Sequence, residues 1–234
     1  MSDRRFVALL IAALVLMTLA LAPVGLLTGA FANARRVGVT SVKGTVWAGR
    51  LNGVTVAGSP VGDLKVGLSP LSLMTGQMRV SLRRTPLADA RAVLLQGGRA
   101  TGVEGLNLRT PIDFTAAGLP VSGIVAFTDV VGVFRQERCL RAGGKIQLIL
   151  AGDGPLRGAV LSGEPVCQSG VWSATLVGPA ADGKVTLAAR IDGKGRYQLE
   201  IMVATVNEVT IQGLLAGGFL RDAVGARRTV EGRL

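Results

Sequence analysis

Cys139 and Cys167 are the residues best suited to covalent chemistry in this chain: the only two cysteines among 234 residues, with 27 residues between them. An even count in a chain that faces an oxidising compartment reads as a disulfide. Closing a loop of that size stabilises by about 3 to 4 kcal/mol on the chain-entropy model. The alternative is two unpaired buried thiols acting as small apolar groups. Metal chemistry is not expected, because two cysteines without a single histidine cannot supply an ordinary zinc shell. The missing histidine also removes the commonest general base and the usual activator of serine and cysteine nucleophiles. The 15 acidic residues sit singly, at turns such as Asp153, Asp182 and Asp192 or at strand ends such as Glu200 and Glu208, which is a turn and surface placement. The glycine pairs at Gly97 and Gly143 lack the helix and lysine that a phosphate loop needs, and neither Lys184 nor Lys194 has an activating neighbour. The chain is therefore read as a non-enzyme, with no catalytic residue, no cofactor and no metal.

Charge narrows the partners. The net charge of +11 is spread from Arg35 to Arg233 without a run of five or six basic residues, and the nine aromatic residues are too few to stack bases. Nucleic acid is excluded as a partner on those grounds. Anionic lipid headgroups beside the body are a better use for the charge; the alternative is that the cations sit on solvated outer strand faces.

The elements that must carry these residues are short strands. Gly occurs 33 times and Pro nine, and the alternating runs between them are interrupted too often for a helical window of ordinary length. Strands are expected at Gly76 to Leu82, Gly123 to Phe127, Lys145 to Leu150, Val171 to Val177, Lys184 to Arg190 and Arg196 to Val203. Asp182-Gly183 and Asp192-Gly193 are hairpin-type pairs, so the last three strands should form an antiparallel meander. Each has one apolar side: Ile146, Leu148 and Leu150 share a face, as do Val185, Leu187 and Ala189, and Tyr197, Leu199 and Ile201. Short helices are expected at Ser69 to Thr75 and at about Val209 to Ala216, the latter closed by Gly217-Gly218. The fold class is all-β, an antiparallel sheet that buries its apolar side as a sandwich or a curled, partly closed barrel. A joint is expected near 110–120, where Pro111 and Pro120 flank a Gly-Ala-rich stretch.

Ahead of this body, Phe6 to Leu27 are 22 residues without a charge. At about 1.5 Å per residue they reach roughly 33 Å, enough to cross a hydrocarbon core of about 30 Å as a single transmembrane helix. Residues 1–5 would then be cytoplasmic and 33–234 periplasmic. Arg4 and Arg5 before the segment are matched by Arg35 and Arg36 after it, so charge alone leaves the orientation open. The competing reading is a signal peptide cleaved after Ala30-Phe31-Ala32, against which the apolar run is longer than usual.

A family mark follows. Gly44-Thr45-Val46-Trp47-Ala48-Gly49-Arg50 is a glycine-flanked β-branched and aromatic run that opens a strand into a turn, with Trp47 expected as a buried aromatic at a hairpin corner. A weak echo, Val171-Trp172-Ser173, lies in the second half. The first motif, then Leu64 to Met74 with Gly76, the Cys139 turn with its Ala-Gly-Gly, Gly217-Gly218-Phe219 and Gly232-Arg233-Leu234 together resemble the type II secretion system protein N family across nearly the whole chain. The resemblance implies an elongated, twisted and curled antiparallel sheet behind an inner-membrane anchor. It also implies a non-enzymatic part in protein secretion, with other secretion components (inner-membrane platform, secretin or pseudopilins) and inner-membrane lipids as partners. In that reading Gly44, Thr45, Val46, Trp47, Gly49 and Arg50 form a structural motif. The alternative function is a periplasmic lipid-binding or lipid-transfer module of the AsmA-like type, holding acyl chains in an open apolar trough.

Overall fold

β-Strands dominate the computed structural model, which describes residues 37–56, 59–85, 90–98, 100–113, 122–151 and 156–233. The expected anchor at 6–27 lies outside the described residues, as does most of the expected joint at 110–120. Among the described residues no helix is long and apolar enough to cross a membrane.

The chain packs as two units that divide between Leu94 and Leu95. The first carries β1 (Val37–Gly38), β2 (Ser41–Gly44), β3 (Gly49–Val56), β4 (Ser59–Leu68), α1 (Pro70–Met74) and β5 (Gln77–Thr85). β6 (Arg91–Gly97) runs across the division. The second unit holds β7 (Thr101–Asp113), β8 (Ser122–Arg135), β9 (Arg138–Ala151), β10 (Val160–Gly163), β11 (Pro165–Gln168), β12 (Val171–Ala180), β13 (Gly183–Ile191), β14 (Arg196–Thr205), α2 (Glu208–Ala216), β15 (Leu220–Asp222) and β16 (Gly225–Arg233). The strands belong to one antiparallel sheet in nearly sequential order, β1-β3-β4-β5-β6-β7-β8-β9-β10-β12-β13-β14-β16-β15, with β2 on β3 and β11 on β12. The expected sandwich or curled, partly closed barrel is thereby corrected: among the described residues there is a single antiparallel sheet whose strand order is open at both ends.

Side-chain alternation builds the core of the second unit. In β12 the buried side chains are Trp172, Ala174 and Leu176, opposite Ile191, Ala189 and Leu187 of β13; Val185 and Leu187 in turn face Val203 and Ile201 of β14. Cross-strand partners share a face, so these pairs draw one continuous apolar surface from β9, through Ile146, Leu148 and Leu150, to Ala226 of β16. α2 lays Leu214 on it, and Phe219 follows from the next turn. Each such side chain, fully buried, contributes about 1.5 to 3 kcal/mol of transfer free energy. In the first unit Val46, Val66 and Val80 form a smaller core with Leu51, Leu64 and Leu82 against it.

Both helices form where the sequence places them. Asn207 caps α2, its side chain accepting the N–H groups of Val209 and Thr210, and the helix closes on Gly217 with Gly218 at φ 81°. The β12–β13 turn is shifted by one residue from expectation. Its two loop residues are Ala181 and Asp182, neither at positive φ, while Gly183 already pairs with Ala180. Asp182 instead holds the start of α2: its carboxylate accepts from Asn207 Nδ2 at 3.0 Å and Thr210 Oγ1 at 2.9 Å.

Candidate functional site

Two loci gather the residues singled out above. In the first unit, Gly44 pairs with Gly49 and the chain between them turns back on itself, Ala48 N–H donating to Thr45 O at 3.2 Å. Gly44 takes φ 91°, a conformation that a β-carbon disfavours. The turn also extends the sheet, since Leu68 N–H donates to Val46 O at 3.0 Å. This geometry sends Val46 into the core and leaves Trp47 half-buried, which corrects the expectation that Trp47 is the buried residue. Trp47 packs against that core and lines a cleft of about 440 Å³ together with Arg50, Lys65, Ser81 and Arg83.

In the second unit the site is the end of the β8–β9 hairpin. Its two-residue loop, Gln136-Glu137, has both residues at positive φ, 49° and 63°, a turn that ordinarily selects Asn-Gly. Two bulges, between Thr128 and Val131 and between Val133 and Phe134, bend the hairpin end. Asn107 braces the first of them: its amide donates to Asp129 Oδ1 at 2.7 Å and its carbonyl oxygen accepts from Asp129 N–H at 3.2 Å. Five contacts then fasten the bent end to strands and turns beyond its own partners. Cys139 is bonded to Cys167, with Cα atoms 5.5 Å apart. Cys139 N–H donates to Gly170 O at 2.7 Å. Trp172, 9% exposed, donates from Nε1 to Val131 O at 3.1 Å, reaching from β12 to β8 although β9 and β11 lie between. The Glu137 backbone rests on Gly193, where a β-carbon would overlap it, and Lys194 Nζ lies 3.4 Å from Glu137 Oε2.

This contact rewrites the β13–β14 turn. The loop has four residues, 192–195, and its positive φ falls on Gly195 at 76° rather than on Gly193. Gly193 is small because the hairpin end needs its space, and Asp192 organises the loop by accepting Lys194 N–H and Arg196 N–H, each at 2.9 Å, and Arg196 Nε at 2.7 Å. The Arg196 side chain, with those backbone donors, holds the Asp192 carboxyl below its ordinary range. Glu208 is likewise held low by Arg221, which grips both its oxygens at 2.9 and 2.7 Å. Both carboxylates are fixed as anions in structural pairs, a poor state for proton transfer at neutral pH. Among the described residues no group of three or more Asp, Glu, Cys and His side chains could hold a metal ion.

The arrangement therefore braces a sheet. A family model described as type II secretion system (T2SS), protein N matches residues 35–229. The chain belongs to the T2SS protein N family. The match covers the Trp47 turn, both cysteines, Trp172 and α2, so both loci lie in the family's own extent. No curated protein and no solved structure gives a significant match. Within this family member the two tryptophan segments are unlike in structure, Trp47 half-buried in a turn and Trp172 buried in a strand, so their sequence echo marks no repeat.

Sequence reasoning found the cysteine pair and missed what surrounds it. The available signal was the two-residue gap between the alternating runs that end at Arg135 and resume at Arg138. Gly193→Ala tests the contact. The added carbon must push the Glu137 backbone away, and overpacking of this kind costs about 1 to 3 kcal/mol. The expected result is faster hydrogen exchange at 135–138 and a lower denaturant midpoint, with exchange in β4 and β5 unchanged.

Proposed function

We propose that this T2SS protein N is a structural component of a type II secretion machine, fixed in the bacterial inner membrane by Phe6–Leu27, with residues from about 33 onward in the periplasm. It performs no chemistry. The family match over 35–229 carries this reading. The Cys139–Cys167 bond supports the compartment, since disulfides persist where the surroundings are oxidising. The mechanism is positioning: the helix sets one end, and sheet edges or loops dock the inner-membrane platform, secretin or pseudopilins by strand addition or surface contact.

Deleting the gene should leave exported proteins in the periplasm, and the full chain should restore secretion. A reporter active only in the periplasm, fused after Leu234, should score positive. A mature protein that begins at Asn33 would refute the anchor, and unchanged secretion in the deletion strain would refute the role. The rival reading, a lipid-transfer trough, requires an open apolar channel. Against it, the apolar face of the second unit is filled by its own side chains, with Leu161, Val185, Val203 and Ala226 at 0 to 1% exposure.

A further inference from the structure

Four cations of the first unit stand in one line. Lys43 of β2 is directly opposite Arg50 of β3, Arg50 is opposite Lys65 of β4, and Lys65 is opposite Arg83 of β5. Directly opposed residues point to the same face of a sheet, so the four side chains form a single row across four strands. At about 4.8 Å per strand the row is roughly 14 Å long. All four are exposed, and among the described residues none of them forms an ion pair. The acid next along that face of β4, Asp63, uses Oδ1 to accept the Gly53 N–H at 2.9 Å.

Such a row is costly to the fold. Like charges directly opposite one another destabilise a sheet, and here three consecutive pairs repeat the penalty with no carboxylate directly opposite any of the four in the β2–β5 pairings. Their arrangement does not stabilise the sheet, whereas an anionic partner would give it a use. Two further features of the same unit say which partner. The cleft beside the row is walled by half-buried Trp47, an aromatic type that favours the boundary between apolar and polar phases. At the β4–β5 connection, α1 holds Leu71 and Met74 out at 75% and 86% exposure. A line of cations with an exposed apolar tip and an amphipathic ring matches a lipid surface, where headgroup phosphates meet the cations and the tip enters the acyl boundary.

We infer that the Lys43–Arg50–Lys65–Arg83 row, with Trp47 and the α1 tip, is a docking surface for anionic phospholipid headgroups. The inference rests on the membrane-held reading above for the source of the lipid. It adds a second attachment, made by the body itself, and gives the basic charge of the first unit a defined place of contact.

The test uses the full chain in nanodiscs of phosphatidylcholine, alone or with phosphatidylglycerol. Amine acylation is read by peptide mass spectrometry at Lys43 and Lys65, with Lys145 and Lys184 of the second unit as references. Each basic residue near an anionic surface strengthens binding roughly fivefold and the four act together, so both row lysines should be acylated at least roughly fivefold more slowly in the anionic discs, and high salt should erase the difference. Arg50→Gln with Arg83→Gln should abolish the protection. Because these changes relieve like-charge pairs, the thermal midpoint should hold or rise, which separates lost binding from lost fold. Equal acylation in both discs overturns the inference. So does protection by a polyglutamate peptide in neutral discs with none from phosphatidylglycerol, an outcome that assigns the row to an acidic protein partner. If the chain fails to enter neutral discs, the anchor reading fails separately, and the same labelling is read on the free chain mixed with vesicles of the two compositions.

Discussion

Trp172→Ala should lower the unfolding free energy by about 3 to 5 kcal/mol, a large part of what a domain of this size possesses. The side chain is 9% exposed, belongs to the main apolar cluster, and bonds the Val131 carbonyl across two intervening strands. Truncation therefore opens a cavity and releases the bent end of the β8–β9 hairpin together. Trp172→Phe separates the two effects: the ring stays buried while the indole N–H is lost, for about 1 kcal/mol. Trp47→Ala should cost less than Trp172→Ala, because Trp47 is half-buried and Val46 takes the core position beside it. Denaturant midpoints of the three variants check the order. A Trp172→Ala protein with the native midpoint would remove the packing role assigned here.

Replacing both Cys139 and Cys167 by Ser should cost about 3 to 4 kcal/mol, from the loop closed by cysteines 28 positions apart. The bond and Trp172 fasten the same hairpin end, so their effects should not add. Once either fastening is gone the end is partly released, and the second removal costs less than it does alone; a double-mutant cycle between Trp172→Phe and the cysteine pair measures that coupling. Labelling of unreduced, denatured protein decides the pairing directly. Two reactive thiols per chain would contradict the bond.

Much of the sheet was legible because period-two alternation survives in the sequence. The meander of β12, β13 and β14 and the apolar faces of Val185 and Leu187 follow from residue order alone. So do both short helices, which have their stop and start residues in place. The turns are less legible. Asp182-Gly183 and Asp192-Gly193 look like hairpin pairs, yet Asp182 is occupied with the start of α2, and Gly193 answers a steric demand from Glu137, more than fifty positions earlier. A local rule cannot register a demand made by a distant strand. The true left-handed turn at Gln136-Glu137 carries neither Asn nor Gly, so composition hides it. The cation row is invisible for another reason: Lys43, Arg50, Lys65 and Arg83 are scattered in sequence, and only the pairing register of four strands brings them into line.

Strand order has a kinetic side. From β3 to β9 each strand pairs with its immediate predecessor in sequence, and from β12 to β14 the same holds. Every such strand can be added to a finished edge as soon as it leaves the ribosome or a translocation channel, without waiting for chain still to come. Loop-closure entropy stays small at each addition, which favours fast, vectorial folding from the N-terminus. The last edge is the vulnerable one, because an unfinished sheet presents unpaired backbone to any neighbouring chain until the next strand arrives. β16 inserts between β14 and the three-residue β15, so the β14 edge stays unpaired until the chain has been made through Gly225–Arg233. A stalled or truncated chain lacking Gly225–Arg233 would keep a live edge at β14 and be a substrate for aggregation or for proteolysis.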